Sequence, residues 1–289
     1  MGRRKARDRS PHVTLRPLRS HEDYERCVKL QRETWGRDFT ELVPPSILRV
    51  VQEVGGIAAG AFDERGELLG FVFGVSGVRN GRPAHWSDML AVRPDARGLG
   101  LGRELKAHQR RELLENGIEV AYWTYDPLEA RNAHLNINRL GARPVEYVPD
   151  MYGDTGSTLH GGIGTDRLVV EWDLRSSRVE RALASGLAAD ESTRVPAHET
   201  ASILNADASG RPRASSLAGP GTSPVRIEVP GDIQAVKRSS LEMARAWRAA
   251  TRGAFQRTLG EGWRVTGFYR DGTTERCFYV MAAPGVEPS

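Results

Sequence analysis

Cysteine is nearly absent from this chain: Cys27 and Cys277 are the only two among 289 residues. Two thiols at opposite ends make neither a disulfide framework nor a zinc site. A reducing, cytoplasmic setting is the expectation they leave. Long apolar runs are also lacking. No stretch approaches the roughly 20 apolar residues that span a bilayer, and no apolar segment follows the basic start to make a secretory signal, so no membrane partner is expected. Two phosphate-binding patterns are missing too. No Gly-x-x-x-x-Gly-Lys-Ser/Thr run exists, which excludes the common nucleotide triphosphatase loop. A dinucleotide loop of the form Gly-x-Gly-x-x-Gly fails as well, because Arg103 and Leu105 stand where its last glycine is needed.

What is present is a core supply for one ordinary domain and a smaller one: 39% of the residues are apolar and 27% charged. The net charge of +4 comes from 41 basic and 37 acidic residues. Part of the excess lies in the tail Gly2-Arg3-Arg4-Lys5-Ala6-Arg7-Asp8-Arg9. So short a basic run can touch nucleic acid or membrane phosphates, but residues 1–12 read rather as a disordered, solubilising terminus, and a nucleic-acid partner is not the expectation.

The most informative stretch is 89–105. The apolar run Met89-Leu90-Ala91-Val92 stops at Pro94-Asp95; then Arg97-Gly98-Leu99-Gly100-Leu101-Gly102 opens a segment rich in Arg, Glu, Leu and Lys. That order predicts a strand, a tight turn and a glycine-rich helix entry. The first amides of a helix have no partner inside it and sit at the positive end of its dipole. Without side chains at Gly98, Gly100 and Gly102, a phosphate can approach them closely, and Arg97 adds a fixed charge.

Arg-x-x-Gly-x-Gly over 97–102, directly after Leu90-Ala91-Val92-x-Pro94, resembles the acyl-CoA loop of the GNAT family, the Gcn5-related N-acyltransferases. The resemblance covers about residues 13–174 and implies an α/β (α+β) GNAT fold with a mixed central sheet. It implies that Arg97, Gly98, Leu99, Gly100, Leu101 and Gly102 hold the pyrophosphate of acetyl-CoA or another acyl-CoA. It also implies that Leu90, Ala91 and Val92 lie on a strand that splays from its neighbour and takes the pantetheine arm like an added strand. Asn132 resembles the asparagine that contacts that arm, displaced in register. The Trp123-Thr124-Tyr125-Asp126-Pro127-Leu128 run resembles a bacterial branch of the family, for some members of which succinyl-CoA is the suspected donor.

The remaining pattern agrees. A strand at Val13–Leu18 precedes a helix capped by Ser20, and a second helix starts near Ser46. Strands at Ile57–Phe62, Leu68–Ser76 and Ala84–Val92 lead to the glycine loop. A helix follows to Asn116, then a strand at Ile118–Thr124, a helix at Leu128–Leu140, and strands near Val145–Tyr152 and Arg167–Leu174. Residues 175–223 are rich in Ser, Ala, Gly and Pro and read as a linker. A small α+β unit fills 224–283, with a long helix through Met243, Trp247 and Phe255 and strands at Trp263–Arg270 and Cys277–Met281. It is similar to the C-terminal partial repeat of some GNAT proteins. It is too small to stand alone, so it packs on the first domain or on a second copy, as in a homodimer.

Acyl transfer to an amine needs a proton acceptor, a polarised carbonyl and a leaving thiolate. Asp88 is the carboxylate on the strand before the loop. Strict alternation puts it on one face with Trp86, Leu90 and Val92. His85 has a suitable intrinsic pKa but falls on the opposite face. The family's acid is commonly a tyrosine four residues before a helix-ending glycine; the matching glycine is Gly141 and that position holds Ile137. Tyr125 and Tyr152 are spare hydroxyls. The loops 153–164 and 21–45, the latter with Trp35, Arg37 and Asp38, are the candidate readers of a small-molecule amine or amino-acid acceptor. Two alternatives stay open: an acyl-CoA-binding module without turnover, and a protein- or nucleic-acid-modifying enzyme recruited by the basic tail.

Overall fold

The computed structural model describes residues 12–157, 161–185, 201–215, 224–272 and 274–285. The basic tail lies outside them except for His12, as do residues 186–200 and 216–223 of the expected linker.

The first sheet has seven strands in the order β1-β2-β3-β4-β5-β7-β6. They are β1 (Thr14–Pro17), β2 (Ile57–Phe62), β3 (Leu68–Arg79), β4 (Arg82–Val92), β5 (Val120–Tyr125), β6 (Arg143–Val148) and β7 (Arg167–Asp173). Every pair is antiparallel except β4 with β5. Helices α1 (His21–Trp35) and α2 (Pro45–Glu53) cover one face and α3 (Leu101–Glu115) the other. This is the mixed sheet the resemblance implies. Local signals set most of its joints. Ser20 and Asp23 form a capping box on α1. Asn80 and Gly81 both take positive φ, 52° and 75°, in the tight β3–β4 turn.

The helix expected over Leu128–Leu140 is shorter and wider. Residues Ala130–Ala133 form one α-turn, α4, and His134–Arg139 continue as a π-helix. The wider turn serves two partners. Ile137 points into the core, 2% exposed. Asn138 accepts from the Phe268 amide at 3.3 Å and donates to its carbonyl at 2.5 Å, so a side-chain amide takes the place of a strand neighbour.

The expected linker carries more structure than its composition indicates. Helix α5 (Ser177–Ala184) buries Val179, and β8 (Ala201–Ala206) with β9 (Pro212–Ala214) joins a second sheet. The reason is non-local: Ile203 and Leu204 are a short apolar signal, but both are fully buried once β8 pairs with β10 (Val225–Val229). The long C-terminal helix expected through Met243, Trp247 and Phe255 is α7 (Leu241–Gly260); a short helix not expected, α6 (Ile233–Ser239), precedes it, and between them Ser240 turns extended and its hydroxyl accepts from the Met243 amide. Strands β11 (Arg264–Arg270) and β12 (Cys277–Ala282) complete a sheet ordered β11-β12-β10-β8-β9.

Order and sense in this second sheet reproduce part of the first. β9-β8-β10-β12-β11 runs antiparallel, parallel, antiparallel, antiparallel, as β3-β4-β5-β7-β6 does. Helices α6 and α7 lie between β10 and β11, as α4 and the π-helix lie between β5 and β6. Between β8 and β10, where the first sheet has the glycine loop and α3, the described residues contain only β9.

The two units share one hydrophobic core. Tyr147 of β6 stacks on Phe255 of α7 at 5.7 Å, and Phe255 meets Tyr279 edge-on at 5.0 Å. Across this boundary Arg248 of α7 grips Asp126 with both terminal nitrogens, at 2.9 and 2.5 Å. Both side chains are 5% exposed. Arg248→Met leaves the buried Asp126 with only the more distant Arg167, 3.9 Å away, so it is expected to cost about 3 kcal/mol, the low end for a broken buried pair. Urea unfolding of the variant measures this; a loss under about 1 kcal/mol, the value of an exposed pair, would show that water enters the boundary.

Candidate functional site

The chain leaves β4 through a one-turn 3-10 helix, Pro94–Ala96, and enters α3 at Leu101. Gly98 and Gly100 both lie in the left-handed region, at φ 88° and 77°, which explains glycine there. Gly102 does not. A Cβ on Gly98 would meet nothing within 4 Å, and one on Gly102 would meet only methyls of Leu135 and Leu90 at 3.8 and 3.9 Å. The space above the loop is therefore open rather than filled by the protein. The amides of Arg103 and Glu104 turn back to the Gly100 carbonyl, and the backbone bonds described around the loop use none of the amides of residues 98–102. Arg97 is exposed and makes no ion pair among the described residues. This donor set fits the pyrophosphate of an acyl-CoA.

Next to the loop, β4 parts from β5. Their parallel ladder contains two pairs only, His85 with Ala121 and Trp86 with Tyr122. β4 stays paired with β3 as far as Val92. From Ser87 onward it therefore has one strand neighbour and one open edge, a ready partner for an extended ligand.

A β-bulge sits at the start of that edge. Ser87 pairs with Gly74 and Met89 with Phe73, which leaves Asp88 as the extra residue. A Cβ on Gly74 would lie 2.3 Å from His85 Nε2 and 2.8 Å from Ser87 Cα, so only glycine lets the strands approach here. The bulge corrects the alternation argument. Before it, His85 and Ser87 face α3; after it, Leu90 and Val92 do. Met89 and Ala91 join the α1/α2 core. Asp88 is thus not on the face of Leu90 and Val92 but turns toward the α1–α2 side.

There it meets groups far away in sequence. Asp88 reaches solvent, but the surrounding protein raises its pKa above the ordinary carboxylate value, and the charge of Glu41 adds to the rise. Tyr152 donates to or accepts from Thr124 Oγ1 at 3.0 Å beyond the end of the ladder. Burial raises the Tyr152 pKa, and the charges of Asp88 and Glu41 add to it. The guanidinium of Arg167 lies 5.2 Å from the Tyr152 ring centroid. The two candidate acceptor loops touch: the Thr40 amide donates to the Thr155 carbonyl at 3.1 Å. Within them Trp35 packs on Phe39 and Phe71, as core rather than pocket lining, while Arg37 and Asp38 are exposed. Glu41 and Tyr152 have no local signal that marks them as site residues; only loop packing brings them to Asp88.

The geometry removes His85 from this cluster. Its ring is 1% exposed. Gln109 Nε2 donates to Nε2 at 3.0 Å, and Nδ1–H donates to Ser76 Oγ at 3.0 Å. Burial first, and then the charge of Lys106, pull its pKa down to about 3. A neutral ring with both nitrogens engaged under α3 has no route to an acceptor on the other face. Ile137 is buried core and offers no acid. Asn132 is exposed on α4, and Tyr125 is buried.

Residues 21–136 match the acetyltransferase (GNAT) family. A search of the curated proteins found no match. Among solved structures the chain is similar to the ribosomal-protein-S18-alanine N-acetyltransferase from Escherichia coli, at 16% identity and TM-score 0.44, over 57% of this chain and 96% of that one. It is also similar to an aminoglycoside 6′-acetyltransferase type Ii, at 17% identity and TM-score 0.44, over 57% and 98%. A chain of the NatC complex bound to Gag peptide and CoA is 16% identical with TM-score 0.44, over 56% and 98%.

Proposed function

We propose, since residues 21–136 match the acetyltransferase (GNAT) family, that the protein transfers an acetyl or succinyl-like group from coenzyme A to the amine of a small molecule or amino acid. One observation carries this reading: an open strand edge at Ser87–Val92 runs directly into a loop of uncommitted amides at 98–102.

The roles follow from position. Arg97 and the loop amides hold the pyrophosphate. The open edge of β4 takes the pantetheine arm by backbone hydrogen bonds, which brings the thioester to the bulge. A β4 amide there polarises the thioester carbonyl. Asp88 accepts the proton of the acceptor ammonium, and the freed amine attacks the carbonyl as the thiolate leaves. Glu41 supplies a second negative charge that attracts the cationic acceptor. The bridged loops at Thr40 and Thr155 favour an acceptor that enters end-on, as a small amine or amino acid does. The thiolate takes up the proton that the attacking nitrogen sheds as the amide forms, relayed by water or by Tyr152, because Ile137 has none to give.

A panel of amines and amino acids tested against acetyl-CoA and succinyl-CoA, read by released thiol, tests the reading. Acceptor-dependent thiol release supports it. Tight acyl-CoA binding with no release across the panel would favour a binding module.

A further inference from the structure

Lys106 stands where β4 and β5 part. The next pair in their register would be Ser87 with Trp123. Lys106, from α3, touches both members of that missing pair. Its Nζ donates to Ser87 Oγ at 2.9 Å and lies 3.6 Å from the centroid of the Trp123 ring. A third partner is Gln109 Oε1 at 2.8 Å. The three hydrogens of an ammonium thus have three acceptors: a hydroxyl, an amide oxygen and a π face.

The placement is costly. Lys106 is 2% exposed, and no carboxylate lies within ion-pair distance among the described residues. Burial lowers its pKa well below the ordinary lysine value. An apolar side chain of similar length fills such a space without that cost. Meanwhile the strand edges beyond Ser87 and Trp123 would gain hydrogen bonds by continuing their ladder. At the point where it ends, Lys106 ties together the two side chains of the missing pair.

We propose that Lys106 is the wedge that ends the β4–β5 ladder and holds open the slot for the pantetheine arm. The inference rests on the acyl-CoA reading above. It makes Lys106 a positioning residue: it touches no reacting atom but sets the gap into which the ligand fits. Lys106 follows Leu101 by five residues on α3, roughly 7.5 Å along the axis. One rigid helix therefore carries both the pyrophosphate loop and the wedge, and fixes the distance between the two ligand contacts.

The test compares Lys106→Met and Ser87→Ala with the parent, using two probes. Acetyl-CoA needs both the loop and the slot. 3′-Phosphoadenosine 5′-diphosphate, the nucleotide end of coenzyme A, needs the loop alone. Calorimetry on Lys106→Met should show acetyl-CoA weakened by about tenfold or more and the nucleotide held within about twofold. Hydrogen exchange should show new protection of those amides of residues 87–92 and 123–125 that point across the slot, as the ladder lengthens. Ser87→Ala removes one anchor and should weaken acetyl-CoA by about threefold, again with the nucleotide unchanged; it decides the matter if Lys106→Met does not fold. Parental acetyl-CoA affinity in the folded variants overturns the wedge. Equal loss of both probes also overturns it, because α3 itself has then moved. Failure of the parent protein to bind either probe strikes the acyl-CoA reading, and the wedge with it.

Discussion

Asp88→Asn is expected to lower turnover by about 100- to 10,000-fold at neutral pH, the usual contribution of a general base, while acetyl-CoA affinity stays at the parental value. Such a loss corresponds to about 2.7–5.5 kcal/mol in the barrier. The substitution keeps size and hydrogen-bonding reach and removes basicity. Asp88 is the bulge residue, so its side chain is held by backbone geometry rather than by a side-chain partner. The pH dependence has a defined sign. A base works in its ionised form, and the Asp88 pKa is raised by surrounding protein and by Glu41. The acid limb of kcat/KM should therefore lie above the ordinary carboxylate range. Glu41→Gln removes the like charge, so it should move that limb to lower pH. In Asp88→Asn the limb should vanish, and the residual rate should climb with pH as more of the acceptor is already neutral. Turnover within about threefold of the parent across this range, far below the effect of losing a base, would make Asp88 structural.

The second large effect is expected at Gly102. Gly102→Glu places a carboxylate where the pyrophosphate should lie, and it should abolish the thermal stabilisation given by acetyl-CoA. The apo protein should be unharmed. Gly102 is in the first turn of α3 with helical φ, and its Cβ would touch only two methyls at ordinary distance. Glutamate there also gains helix propensity over glycine and opposes the helix dipole favourably. Gly100→Asp is a less clean probe, since its φ of 77° strains any residue with a Cβ. A Gly102→Glu protein that acetyl-CoA still stabilises as strongly as the parent would remove the loop from the binding site.

The loop was legible before any tertiary structure because its information is local. Pro94 stops the strand, glycines permit positive φ, and α3 starts where its amides are left over. Ser20 and Asn80-Gly81 were legible for the same reason. Asp88 was legible as a candidate, but its orientation was not. Alternation along β4 assigned it to the face of Leu90 and Val92, and one bulge reversed the phase. The bulge depends on Gly74, which lies across the sheet and carries no mark of it in its own neighbourhood.

Sequence by itself thus determined what short-range physics controls: the order of the strands and of the main helices over residues 13–174, the caps, the turn types and the uncommitted amides at 98–102. Tertiary structure alone decided what depends on contacts between distant segments. It buried His85 between Ser76 and Gln109 and brought Glu41 and Tyr152 to Asp88. It drew β8 and β9 out of a linker-like composition into a second sheet, and it set Lys106 between Ser87 and Trp123. The reason is physical: backbone propensity acts over a few residues, whereas burial, strand pairing and desolvation are properties of the assembled core.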